Sequence, residues 1–155
     1  MNSILPIRLL GGLVLYWCLT GTAHAESMLQ VTDAWIREAP PSAKVHAAYM
    51  TLVNPGDRTL WIDSVSSADF DGAEIHRSWV EDGVARMQPV RQLEVPAAGQ
   101  VALEPGGYHL MLFDARQPLQ AGDSVTLLLH QADGNCIRVT APVRRGTDTG
   151  HHHHH

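Results

Sequence analysis

Apolar and polar positions alternate along most of this chain with a period of two, the pattern of strands half-buried against a core. The stretches "VTDAWIREA" (31–39), "HAAYMTLVN" (46–54), "TLWIDSVS" (59–66) and "AEIHRSWV" (73–80) follow one another, separated by Pro, Gly, Asp and Asn. "ARMQPV" (85–90) comes after "EDG", and "QVALEP" (100–105) leads through a Gly pair into "YHLMLF" (108–113). "DSVTLLLH" (123–130) and "CIRVTAPV" (136–143) flank the "ADGN" turn. No stretch sustains an apolar period of 3.6 with capping residues. Short strands with turn residues between them predict one all-β domain, an antiparallel β-sandwich or barrel.

Two segments stand outside that pattern. Residues 1–25 combine Arg8, an uncharged run from Leu9 to Thr20 and "AHA", the three parts of a secretory signal peptide with cleavage expected after Ala25. The run is about a dozen residues, short of the roughly 20 that a membrane span needs, so no integral membrane protein is expected. Lipid attachment at Cys18 is disfavoured by bulky Tyr16 and Trp17 just before it. The domain is expected to occupy 26–145 and to work outside the cytoplasm. Residues 146–155 form an expected disordered tail ending in five histidines, His151–His155. These are either an expression tag or a native arm that would bind Cu(II) or Zn(II) through imidazole.

Composition removes several classes of function. Eleven Lys/Arg against 16 Asp/Glu give a net charge of −5, and loss of Arg8 makes it −6, so nucleic acid is not an expected partner. Cys136 is the one cysteine left after processing, which excludes an internal disulfide and a CxxC redox pair. It is expected to be a small buried side chain. "IRVTAPV" after it lacks the His and Met that a blue-copper centre would need. No nucleophile–base arrangement and no phosphate-binding Gly loop is present, so the chain is not expected to be an enzyme.

The candidate chemistry lies in histidine and methionine. His109 and Met111 sit two apart on one predicted strand and so share a face. His76 lies on another strand, and a hairpin loop from Trp79 to Met87 would bring Met87 beside it. Two imidazoles and two thioethers make a soft, neutral donor set that suits Cu(I), whereas zinc prefers Cys, His and carboxylate, and calcium and magnesium prefer oxygen. Met50 is read as core.

The spacing is His76, ten residues, Met87, twenty-one residues, His109, one residue, Met111. Together with "AWIREAPPSAKVHAAYMTLVN", "VEDGVARMQPV", "VPAAG" and "LEPGGYHLMLFDARQPLQAGDSV", it resembles the PCu(A)C periplasmic copper chaperones over Ala34 to Val143. The resemblance implies a cupredoxin-like β-sandwich holding one Cu(I) near its surface through these four residues. It also implies delivery toward the CuA site of cytochrome c oxidase, with its subunit II and Sco-type thiol proteins as partners. Copper sequestration would use the same site, and a β-sandwich interaction module would make the His/Met set incidental. Arg77 departs from the Glu common after the first ligand, placing a cation beside the site, and Trp79 is expected to shield it.

Overall fold

The computed structural model describes residues 29–146. The expected signal peptide and all of the tail beyond Gly146 lie outside them. Ten strands follow in order: β1 (Gln30–Arg37), β2 (Val45–Asn54), β3 (Leu60–Ser67), β4 (Phe70–Glu81), β5 (Val84–Pro89), β6 (Leu93–Val95), β7 (Gly99–Leu103), β8 (Tyr108–Ala115), β9 (Ser124–Gln131) and β10 (Cys136–Arg144).

They form a two-layered β-sandwich. One layer runs β5-β4-β8-β2-β1, with β7 in line with β8 along the same side of β2. The other runs β10-β9-β3-β6. A short parallel pairing, Ile36 with Val143 and Arg37 with Arg144, joins β1 to β10 and makes the seam between layers. β7 and β8 also meet in parallel at Leu103 and Tyr108. The sandwich is therefore all-β but not purely antiparallel as expected. β6 was not among the expected strands. It is three residues long, and Leu93 and Val95 alternate inward around exposed Glu94.

Alternate residues from both layers supply the core. Ala48, Met50 and Leu52 come from β2, Leu110 and Leu112 from β8, Leu127 and Leu129 from β9, and Ala141 and Val143 from β10. Burying a side chain of the leucine size contributes about 1.5–3 kcal/mol, enough to lock each strand's register, since a slip of one residue would turn its apolar set to water. Met50 is 2% exposed and is core, as read from the sequence. β1 carries one extra residue between Thr32 and Trp35, with Asp33 at φ 52°. That bulge reverses the facing parity, so Val31 and Ile36 both serve the core face.

Cys136 is exposed, which corrects the expectation of burial. Val139, Ala141 and Val143 are the inward positions of β10, so Cys136 takes the outward parity.

His46 stands on the core side of β2, 5% exposed, with its ring edge toward Phe70 at a centroid distance of 5.5 Å. Its Nδ1 is buried with no hydrogen-bond partner. Burial lowers its pKa from the ordinary 6.5 by disfavouring the charged ring. The unfolded chain thus binds a proton at His46 more readily than the folded one. Its neutral ring supports the fold fully above about pH 6.5, and that support is lost as pH falls from there through the lower folded-state value. Urea midpoints between pH 7.5 and 5 should fall more steeply for the wild type than for His46→Leu. Parallel curves would show that His46 contributes nothing to the acid sensitivity.

Candidate metal centre

The site is built on the outer face of the first layer, where β5, β4 and β8 lie side by side. On β8, Leu110 and Leu112 turn inward and are 1% and 0% exposed, so His109 and Met111 turn outward. On β4, Ile75 turns inward and His76 outward. The antiparallel register then sets His76 directly opposite His109, and Glu74 directly opposite Met111. Directly paired residues project from the same face, within about 5.5 Å at Cβ. The two imidazole rings stand 6.2 Å apart between centroids, tilted by 43°.

Met87 arrives by a different device. β4 and β5 are joined by Asp82 and Gly83, both at positive φ (52° and 76°), the signature of a two-residue type I′ turn. The loop is therefore two residues rather than the span from Trp79 to Met87. The tight turn sets Met87 opposite Ser78 and one diagonal step from His76. All four residues singled out from the sequence thus share one face, from three adjacent strands. They differ sharply in exposure. His109 is 6% exposed, the His76 side chain 12% and Met87 54%, while Met111 is half-buried.

Hydrogen bonds orient both rings. The Nδ1–H of His109 donates to the carbonyl of Gly107 at 3.1 Å. The same carbonyl accepts from the Ser78 backbone N–H at 2.9 Å, tying β4 to the turn before β8. Gly106 makes that turn at φ 85°, a conformation that costs a residue with Cβ about 1 kcal/mol or more. With Nδ1 engaged, neutral His109 presents a free lone pair on Nε2. His76 hydrogen-bonds through Nε2 to Glu74 Oε2 at 2.7 Å, and its Nδ1 is buried with no partner. A partnerless buried nitrogen is costly unless a ligand completes it.

Among the described residues, no group of three or more His, Cys, Asp or Glu side chains is placed to hold a metal ion. The same face also carries the two thioethers of Met87 and Met111, and two imidazoles with two thioethers make a donor set that fits a soft monovalent ion. Glu74 was overlooked in the sequence, although "EIH" carries the same i, i+2 signal that singled out His109 and Met111. Arg77 and Trp79 do not flank the site. Both occupy the opposite parity of β4, and the Arg77 guanidinium lies 5.4 Å from the centroid of the Tyr108 ring. On the site's own face, the next outward position of β2 after Ala47 is Tyr49. It packs on Trp35 at 4.8 Å beneath the Arg37 guanidinium.

The β-sandwich has the fold of a PCuAC domain. The copper-bound PCuAC domain from PmoF2 superposes with a TM-score of 0.64 at 22% identity, over 76% of this chain and 92% of that one. The Cu(I)-bound solution structure of DR1885 from Deinococcus radiodurans matches with a TM-score of 0.64 at 31% identity, over 81% of this chain and 85% of that one. Residues 29–143 match the LpqE-like family of proposed lipoproteins, and the chain belongs to that family. The protein Lxx21020 of Leifsonia xyli subsp. xyli is 29% identical over 117 residues, 75% of this chain and 69% of that protein.

Proposed function

We propose that this protein is an extracytoplasmic metallochaperone that binds one Cu(I) through His76, Met87, His109 and Met111 and passes it to another protein. The observation that carries this reading is the shared register. Two imidazoles and two thioethers meet on one outer face, each ring with one nitrogen left free. The Cu(I)-bound state of DR1885 and the copper-bound state of the PmoF2 domain support it. The LpqE-like description as lipoproteins supports a place outside the cytoplasm. A cleaved signal peptide over residues 1–25 would deliver the chain to the periplasm, leaving the copper domain from residue 26 to 145.

The gradient of exposure suggests how cargo would leave. The Met87 thioether stands most open to solvent, on an edge strand whose six residues are all exposed. An incoming thiolate can displace it while the buried imidazole of His109 still holds the ion. Thiolates are stronger ligands for Cu(I) than thioethers, so exchange runs toward a thiolate-rich acceptor. The CuA site of cytochrome c oxidase subunit II, served alongside Sco-type proteins, is the acceptor we propose. Sequestration would use the same ligands, but a half-exposed ligand on a sheet edge favours hand-over. The tail histidines, if native, would add a separate Cu(II)-binding element.

The reduced protein lacking residues 146–155 should take one equivalent of Cu(I) from a chromophoric chelator. No uptake would defeat the reading. Mixing the loaded protein with a soluble CuA domain should then move copper to that domain, more slowly for a variant in which Met87→Cys strengthens the exposed ligand. Retention of copper by the wild type would favour sequestration.

A further inference from the structure

We propose that Glu74 is a positioning residue that fixes His76 in its Nε2–H tautomer, so that His76 offers Nδ1 to the ion while His109 offers Nε2. This rests on the copper reading above and adds to it a fifth residue and a defined nitrogen for each ring.

The argument begins with donors and acceptors. A carboxylate only accepts hydrogen bonds, so at 2.7 Å from Glu74 Oε2 the His76 Nε2 must carry the proton. A neutral imidazole carries one N–H, which leaves the His76 lone pair on Nδ1. That atom is buried and has no partner. At His109 the order is reversed. A backbone carbonyl only accepts, so Nδ1 carries the proton and Nε2 the lone pair.

Strand geometry explains why Glu74 is able to do this. Glu74 and His76 are two apart on β4 and share the outer face. Glu74 lies opposite Met111 and His76 opposite His109, so the carboxylate stands at a corner of the ligand set rather than behind the sheet. It is also half-exposed, with 56% of its side chain accessible, so it can engage the ring without being entombed as a buried charge. A carboxylate behind a ligating imidazole raises the ring's basicity and holds its plane, and loss of such partners typically lowers metal affinity about 10–100-fold.

Ring-nitrogen NMR of the copper-free protein at alkaline pH tests the hydrogen bond by itself. The His76 signals should show Nε2 protonated and Nδ1 bare, and added Cu(I) should shift Nδ1 of His76 and Nε2 of His109. Glu74→Ala should release the His76 tautomer and weaken Cu(I) binding about tenfold or more without lowering the melting temperature. Glu74→Gln, whose amide oxygen can accept the same bond, should restore the tautomer and most of the affinity. An Nδ1–H tautomer in the wild type, or unchanged affinity in Glu74→Ala, overturns the proposal. Failure of the wild type to bind Cu(I) ends the metal reading, and the role of Glu74 with it, even where the copper-free spectrum shows the expected tautomer.

Discussion

Replacing His109 and Met111 together by alanine is expected to abolish Cu(I) binding while the domain stays folded. Both side chains project from the outer face of β8, and the core is held by their neighbours Leu110 and Leu112, at 1% and 0% exposure. The double variant removes two of four donors and the buried one with the defined lone pair. Two-coordinate remnants from His76 and Met87 lie on separate strands and cannot hold the ion against a competing chelator. The hydrogen-bonding cost is small. Only the bond from His109 Nδ1 to the Gly107 carbonyl is lost, and that carbonyl keeps its bond from Ser78 N–H. One such bond is worth about 1 kcal/mol, or roughly 4 °C in a domain of this size. Cu(I) competition and thermal unfolding on the same sample decide the matter. Collapse of the fold would show that the pair is core packing, and retained binding would show that the ligands lie elsewhere.

Why the shared face of the four candidate ligands was legible in the sequence is a matter of period. A strand repeats every two residues, so His109 and Met111 had to share a face, and apolar Leu110 and Leu112 had to claim the other. The type I′ turn at Asp82–Gly83 was marked by its own sequence, and it brought Met87 next to β4. The same parity argument would have found Glu74. It would also have placed Arg77 and Trp79 on the far side of β4, and turned Cys136 outward against Val139 and Ala141. These failed because each residue was weighed by its type and its nearness along the chain, and not by its position in the alternation.

Other features were beyond that reasoning. β6 offers only three residues, too few to show a period, and exists because Leu93 and Val95 close the core against β3. The parallel seam between β1 and β10 joins the two ends of the described chain, a pairing that no local pattern encodes. The bulge at Asp33 reverses inward and outward along β1, so a strict alternation read through it fails on one side. The direction of each imidazole's free nitrogen depends on partners brought by two strands and a turn.

Asn54→Ala is expected to cost about 2–4 kcal/mol of stability and to leave Cu(I) affinity unchanged. Asn54 ends β2 at 1% exposure. Its amide nitrogen lies 2.7 Å from the Arg58 carbonyl and 3.1 Å from those of Val95 and Pro96. Its oxygen accepts the Gly56 N–H at 3.0 Å. One side chain therefore ties the turn after β2 to the end of β6, bridging the two layers. Alanine removes every one of these bonds, the buried one to the Val95 carbonyl included, and a buried acceptor that loses its partner costs about 1–3 kcal/mol. Against a total of about 5–15 kcal/mol this is a large loss, visible as a lower urea midpoint at an unchanged slope. Asn54→Asp should do no better, because a carboxylate would face three carbonyls with no proton to offer them. The candidate copper site stands toward the other end of β2, where Ala47 pairs with Met111. Below its unfolding range the Asn54 variant should bind Cu(I) as the wild type does, whereas the His109/Met111 variant should fold and not bind. A stability loss under about 1 kcal/mol would mean that water replaces the amide at little cost. A parallel loss of copper affinity would mean that the outer face depends on the sandwich more tightly than its register implies.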